Sequence, residues 1–386
     1  MRKALRAGLL GMILASVVAA PSPARAEIRV GIVNSLTGPV SAIGVPYAKG
    51  YAAAALGTPE VAGQKIVTIA MDDRSDPTVA AQVGRKLIEE EHVDVLVGSA
   101  AAPASYALYA VAAEAKVPLV YAANGAVEGE RGAWEITIPQ PPALMIQAVT
   151  EYMAAHQLGT VAFIGFNDAW GDSVFQGLRA SADPAGIKII DDERYARTDT
   201  SVTPQVLKMI ARRPAAIMTG GAGAPAALPH LALAERGWKG PVFSSHAIVN
   251  NDIVRIAGKS LEGVIAPTGP VVVADQLADD NPLKAAAATY RKLYQQANHD
   301  TQLDPFAAYA YDSMLVLHDA LARVLKAGGK PGTPEFRAAL REALSTTKDV
   351  VGTEAIYNFT PGQRTGVDSR SRVLVTLKNG AWVLVK

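Results

Sequence analysis

Three stretches carry the residue types from which a small-molecule site is made. His246 closes the run Pro241 to Ser245, Trp170 stands in Asn167-Asp168-Ala169-Trp170-Gly171 directly after another apolar run, and Gly221-Ala222-Gly223-Ala224-Pro225-Ala226 follows a third. They offer an imidazole that changes charge near neutral pH, an aromatic plate and a glycine turn that lets backbone approach a ligand. His246 divides evenly between a ligand contact and an ordinary loop histidine; His92, His156, His230, His299 and His318 all lie in or beside helical stretches. The core is the usual place for a tryptophan, but the loop residues around Trp170 put it at a strand's carboxyl end, where a platform for a planar ligand is an equally good reading. The glycine run satisfies the G-x-G-x-x-A variant of a dinucleotide fingerprint. The next strand, however, ends in Ser244-Ser245-His246, with no acid for a ribose hydroxyl. A tight turn beside a cleft is the better reading, and no cofactor is expected.

Other chemistries are poorly supplied. Walker A, H-E-x-x-H and G-x-S-x-G patterns are absent, and Asp72-Asp73 with Asp76 fits no EF-hand spacing, so a solvated turn with a helix cap is expected there and no metal. The sequence contains no cysteine, which removes thiol catalysis, Cys-ligated zinc and Fe–S chemistry. Enzymatic turnover would need a nucleophile or an acid–base pair, for which His246 alone is thin support.

These residues have to be positioned by a fold whose clearest unit runs from Val93 to Asn124. An apolar, β-branched strand ends at Gly98-Ser99, a small-residue loop follows, Pro103 opens a helix, and Pro118 to Tyr121 forms the next strand. Such a unit aims N–H groups of the first helical turn into the crevice above a parallel sheet. Strand and helix alternate three times before position 124. Pro139 to Pro142 interrupts the rhythm, which then resumes as a second sheet and breaks again at Pro267 to Pro270. Three helices without intervening strands follow, and a hairpin around Asn379-Gly380 ends the chain. Two α/β lobes are expected, each a mostly parallel sheet flanked by helices, the first from 27–140 plus 271–352 and the second from 141–270 plus 353–386. Three chain crossings would hinge them about one axis, with a cleft between.

Arg2, Lys3 and Arg6 before the apolar segment Ala7 to Ala20, with Ala24-Arg25-Ala26, read as a signal peptide over residues 1–26. Its removal takes away four positive charges and no acids, so the net charge of +1 becomes −3. That near-neutral surface gives no reason to propose nucleic acid or an anionic membrane as partner.

The whole region after residue 26 resembles the leucine/isoleucine/valine-binding-protein family, the type I periplasmic binding proteins that feed ABC importers. The resemblance rests on the order of Leu36-Thr37-Gly38-Pro39, the Asp72-Asp73 and Asp76-Pro77 turn, Gly98 through Val117-Pro118, Asp168-Ala169-Trp170-Gly171 and Ala257 to Gly263. It implies a periplasmic, monomeric receptor that closes on a small molecule and delivers it to membrane permease subunits. In amino-acid binders of the family a hydroxyl residue holds the ligand carboxylate; Ala102 stands in its place, and Gly125, beside Asn124, replaces a nearby threonine. The acid that holds the ligand ammonium falls at His246, an aromatic becomes Ile43, and an aromatic is kept as Trp170. A buried ammonium without a carboxylate costs several kcal/mol, and a protonated His246 would repel it. The departures imply an aromatic or apolar carboxylate of the benzoate or aryl-keto-acid kind, received by Ala101 and Ala102 N–H groups beside Pro103, Asn124 and His246, with Ile43, Trp170 and the Gly221-Ala222 turn around its body. Branched-chain or aromatic amino acids are the alternative ligands, and a ligand-sensing receptor domain the alternative role.

Overall fold

The computed structural model describes residues 27–121, 134–301, 304–363 and 365–385; the proposed leader, Asn124 and Gly125 lie outside them. The first half builds one sheet: β1 (Ile28–Asn34), α1 (Ser41–Gly57), β2 (Glu60–Val61), β3 (Gln64–Asp72), α2 (Pro77–Glu89), β4 (Val95–Gly98), α3 (Ala102–Glu114), β5 (Leu119–Tyr121) and β6 (Glu135–Thr137). Its strand order is β2-β3-β1-β4-β5-β6, parallel throughout except for β2 against β3. Continuous apolar runs such as Val95–Gly98 are buried along their whole length, as a sheet covered on both faces requires.

After Ile138 the chain enters a second sheet. Its elements are α4 (Pro142–Ala155), β7 (Thr160–Phe166), α5 (Ala169–Ala182), β8 (Lys188–Tyr195), α6 (Thr203–Ala211), β9 (Ala216–Gly220), α7 (Ala227–Glu235), β10 (Val242–Ser244), α8 (Asn251–Ala257) and β11 (Ile265–Thr268). Beyond a 3-10 stretch, α9 (Pro282–Asn298) and α10 (Pro305–Lys326) return to pack on α1, and α11 (Pro334–Ser345) packs on α10. The short pair β12 (Val350–Val351) and β13 (Ile356–Tyr357) follows, and β14 (Val373–Lys378) with β15 (Ala381–Leu384) rejoin the second sheet in the order β15-β14-β11-β10-β9-β7-β8. The chain therefore passes between the sheets three times. Asn379 and Gly380, both at positive φ, make the two-residue turn between β14 and β15.

Helix starts follow a repeated recipe. Asp76, Asn281, Asp304 and Thr333 accept backbone N–H groups of the first turn, and each is followed by proline, whose missing N–H would have been an orphan anyway. Asp168 caps α5, so that helix begins at Ala169, and β8 runs on through its charged residues to Tyr195. No helix among the described residues is long and apolar enough to cross a membrane.

Candidate functional site

The carboxyl ends of the strands of both sheets converge on one cavity. From the side of the first sheet it is lined by Val40, Ile43 and Tyr47 of α1 and its approach, Ala100 to Ala102 at the start of α3, Pro139 of the first passage, and Phe306 and Tyr309 of α10. From the other side come Trp170, Arg197, Ala222, His246 and Ala247. The cavity volume is only about 30 Å³, so the walls stand close together.

The first wall is set by backbone. Gly98 ends β4 at φ +130°, and a Cβ there would lie 1.9 Å from the Val33 carbonyl oxygen, so only glycine turns the chain into α3. Ala101 occupies the N-cap position without a capping side chain, Pro103 brings no N–H, and the Ala102 N–H finds no partner among the described residues. That orphan donor belongs to a residue of the cavity lining. Beneath it Ser99 donates to buried Asp73, which also accepts the Ser75 N–H at 2.8 Å. Asp73 is thus packed under the site rather than solvated, and burial raises its pKa. Asp72 holds the Leu36 and Arg74 N–H groups at 2.9 Å, and Asp76 caps α2. All three acids serve the turn, and no metal-holding cluster occurs among the described residues.

The second wall carries the polar groups. Asp168 accepts the Trp170 and Gly171 N–H groups at 2.9 and 3.2 Å through one oxygen and the Arg197 Nε–H at 2.5 Å through the other. The Arg197 guanidinium also lies 4.3 Å over the Phe166 ring, which fixes its plane and leaves its terminal nitrogens without a protein partner among the described residues. Trp170 donates its indole N–H to the Gly221 carbonyl at 3.2 Å and meets the His246 ring edge-on, centroids 5.3 Å apart. Burial pushes the His246 pKa down to about 4, so at neutral pH the imidazole is uncharged. The repulsion expected from a protonated His246 therefore does not arise; the positive charge at this wall belongs to Arg197. Gly223, at φ +64°, would place a Cβ 2.7 Å from the Pro39 carbonyl oxygen, so the glycine turn is one place where the two halves touch.

Ile43, Ala101, Ala102, Trp170, Ala222 and His246 are thus brought together around the cavity. Pro103 lies in the first turn of α3 outside the lining, Gly221 stands behind Trp170, and Asn124 and Gly125 are outside the described residues. Sequence reasoning missed Arg197, Tyr47, Phe306 and Tyr309. Arg197 was legible only with β8 drawn to its true end, two residues before it.

Comparison with known proteins fits this geometry. Residues 27–369 match the family model described as periplasmic binding protein. The chain belongs to this family, in its leucine/isoleucine/valine-binding type. A periplasmic binding protein is a substrate-binding protein with a two-lobed α/β fold, and its relatives extend the match. A Leu/Ile/Val-binding protein homolog 1 from Brucella abortus is 27% identical over 89% of both chains. An extracellular ligand-binding receptor from Rhodopseudomonas palustris is 40% identical, covering 93% of this chain and 99% of that one, with a TM-score of 0.89. An ABC transporter solute-binding protein from R. palustris, solved with benzoate, shares the fold at 18% identity and TM-score 0.80, over 93% and 96% of the two chains.

Proposed function

We propose that this periplasmic binding protein takes a small aromatic or apolar carboxylate between its lobes, 27–140 with 271–352 and 141–270 with 353–386, and delivers it to the permease of an ABC importer. Export past the inner membrane by a leader over residues 1–26 belongs to the same reading. The observation that carries it is Arg197, the one charged side chain among the described lining residues, held by Asp168 and Phe166 with its terminal nitrogens left without a partner among the described residues. A carboxylate there gains charge-assisted bonds worth about 1.5–3 kcal/mol each, and the Ala102 N–H adds a further donor. An α-ammonium would meet Arg197 and find no carboxylate among the described lining residues, at a cost of several kcal/mol. Tyr47, Phe306, Tyr309 and Trp170 supply the faces for a ring.

The relatives leave the ligand class open, since the Brucella proteins are named for branched-chain amino acids and the benzoate-bound protein shares only the fold. Titration calorimetry of the chain from residue 27 onward with benzoate, phenylpyruvate, leucine and phenylalanine decides it. Binding of the first two and not the last two is expected. Leucine or phenylalanine binding without any response to the acids would overturn the ligand class and leave the family and its transport role standing.

A further inference from the structure

Asn250 spends its whole hydrogen-bonding capacity at the junction of the two halves. It is 2% exposed. Its carbonyl oxygen accepts the Asp252 and Ile253 N–H groups at 2.9 and 3.2 Å, capping α8 of the second half. Its amide nitrogen donates to the Ala42 carbonyl of α1 at 2.7 Å and to the Asp304 carboxyl at 3.0 Å, both in the first half. Asp304 is itself the cap of α10, accepting the Phe306 N–H at 2.9 Å, and is 5% exposed. Ile43 and Phe306, next along the same two helices, line the cavity. Parting the lobes would break both donor contacts of Asn250 and return water to Asp304.

We propose that Asn250 is the latch of the closed cleft and that Asp304 gates it by taking up a proton, so the cleft closes more readily as pH falls. Neither residue touches the ligand; both act as positioning residues. Burial raises the Asp304 pKa to about 7, opposed by the Phe306 and Asn251 N–H groups, with Asp252 raising it further and Lys49 lowering it. Lys49 is shared with Asp300 at 2.6 Å, and Tyr47 of α1, Tyr290 and Tyr294 of α9 and Glu354 feel the same carboxyl. In an opened cleft Asp304 returns toward the ordinary carboxylate value of about 4. Between those two values the closed state binds more protons than the open one. Closure is then most favourable near pH 4 and loses this contribution as pH rises through 7. His246 works in the opposite sense, since closure buries it uncharged. The raw pH profile therefore mixes the two, and a ratio of variants separates them.

The test compares wild type with Asp304→Asn by calorimetry from pH 5 to pH 8, using benzoate and leucine as separate probes. The ratio of wild-type to variant Kd is expected to rise across that range, by up to about eightyfold if Asp304 returns fully to the free carboxylate value on opening; any pH-independent effect on the helix cap cancels. Asn250→Ser, which keeps a cap for α8 but cannot reach the first half, should raise Kd about tenfold while the melting temperature of the ligand-free chain stays in place. Because closure serves either probe, a wrong ligand class leaves this test intact. Small-angle scattering of the ligand-free chain, whose radius of gyration falls on closure, gives the same pH comparison without a ligand. A flat ratio with pH and a flat scattering difference would overturn the proton gate, and an unchanged Kd in Asn250→Ser would overturn the latch.

Discussion

The wall carried by α1, α3 and α10 meets the cavity with alanines, an isoleucine and aromatic rings, whereas the wall beyond β7 to β10 meets it with an arginine, an imidazole and an indole. Their construction differs as well. The first wall is shaped by backbone at Gly98 and by the packing of α10 on α1, and Tyr309 spends its hydroxyl on Gln140, donating at 2.7 Å. The second wall is shaped by side-chain bonds that run through Asp168 and Gly221. On the proposed reading the second wall anchors and orients a ligand, and the first excludes water as the cleft closes. A cleft divided this way holds its specificity where charge is fixed and its affinity where area is buried.

The sharpest way to break that division is to remove the anchor. Arg197→Ala should weaken benzoate binding about a hundredfold by calorimetry, the loss of one or two charge-assisted bonds from a desolvated site, and lower the melting temperature as well, because Asp168 and the Phe166 ring lose their partner. Arg197→Lys should recover part of it, since a lysine supplies the charge without the planar fork. Wild-type affinity in Arg197→Ala would move the anchor elsewhere and dissolve the contrast between the walls. A smaller effect is expected on the opposite side. Phe306→Leu keeps an apolar side chain of similar volume and removes a ring face, so aromatic acids should bind about threefold to tenfold more weakly while short aliphatic acids are unaffected. Equal losses for both classes would mean that Phe306 sets the cavity's volume rather than recognising a ring.

Much of the fold was legible because it is written in repeating local rules. Alternating strand and helix patterns, proline-led helix starts and the Asn379-Gly380 turn each depend on a few neighbouring residues. What escaped was either short or misleadingly polar. β6 and α8 have three and seven residues, too few for a periodicity to show. β8 lies at the edge of its sheet and carries Asp191, Asp192, Glu193 and Arg194, whose charges break the apolar run on which the strand is legible only as far as Ile190. Arg197 was lost with its end. Tyr47, Phe306 and Tyr309 read as helical core residues, and they are core residues as well as cavity wall; only the meeting of the halves gives them the second role. His246 and Trp170 were found because loop signals placed them at strand ends, but the charge state of His246 depends on burial that no local pattern encodes.

The smallest effect on binding is expected where the first wall meets the hinge. Tyr309 presents its ring to the cavity and its hydroxyl to Gln140, whose amide nitrogen donates to the Ser371 carbonyl at 2.5 Å and lies 3.4 Å from the Glu354 carbonyl. Gln140 therefore ties α10 and two of the three chain passages together. Passages of this kind stay joined whether the cleft is open or shut, so bonds within them contribute to folding in both states and nearly cancel from the binding equilibrium. Tyr309→Phe should leave the Kd of any ligand within about twofold, while the unpaired Gln140 oxygen costs about 1–3 kcal/mol of stability. A lowering of the melting temperature by a few degrees, about what such a loss gives in a chain of this size, is the expected readout by calorimetric scanning. A large rise in Kd with no change in melting temperature would show that the hydroxyl breaks from Gln140 as the lobes move, and the first wall would then share in orienting the ligand.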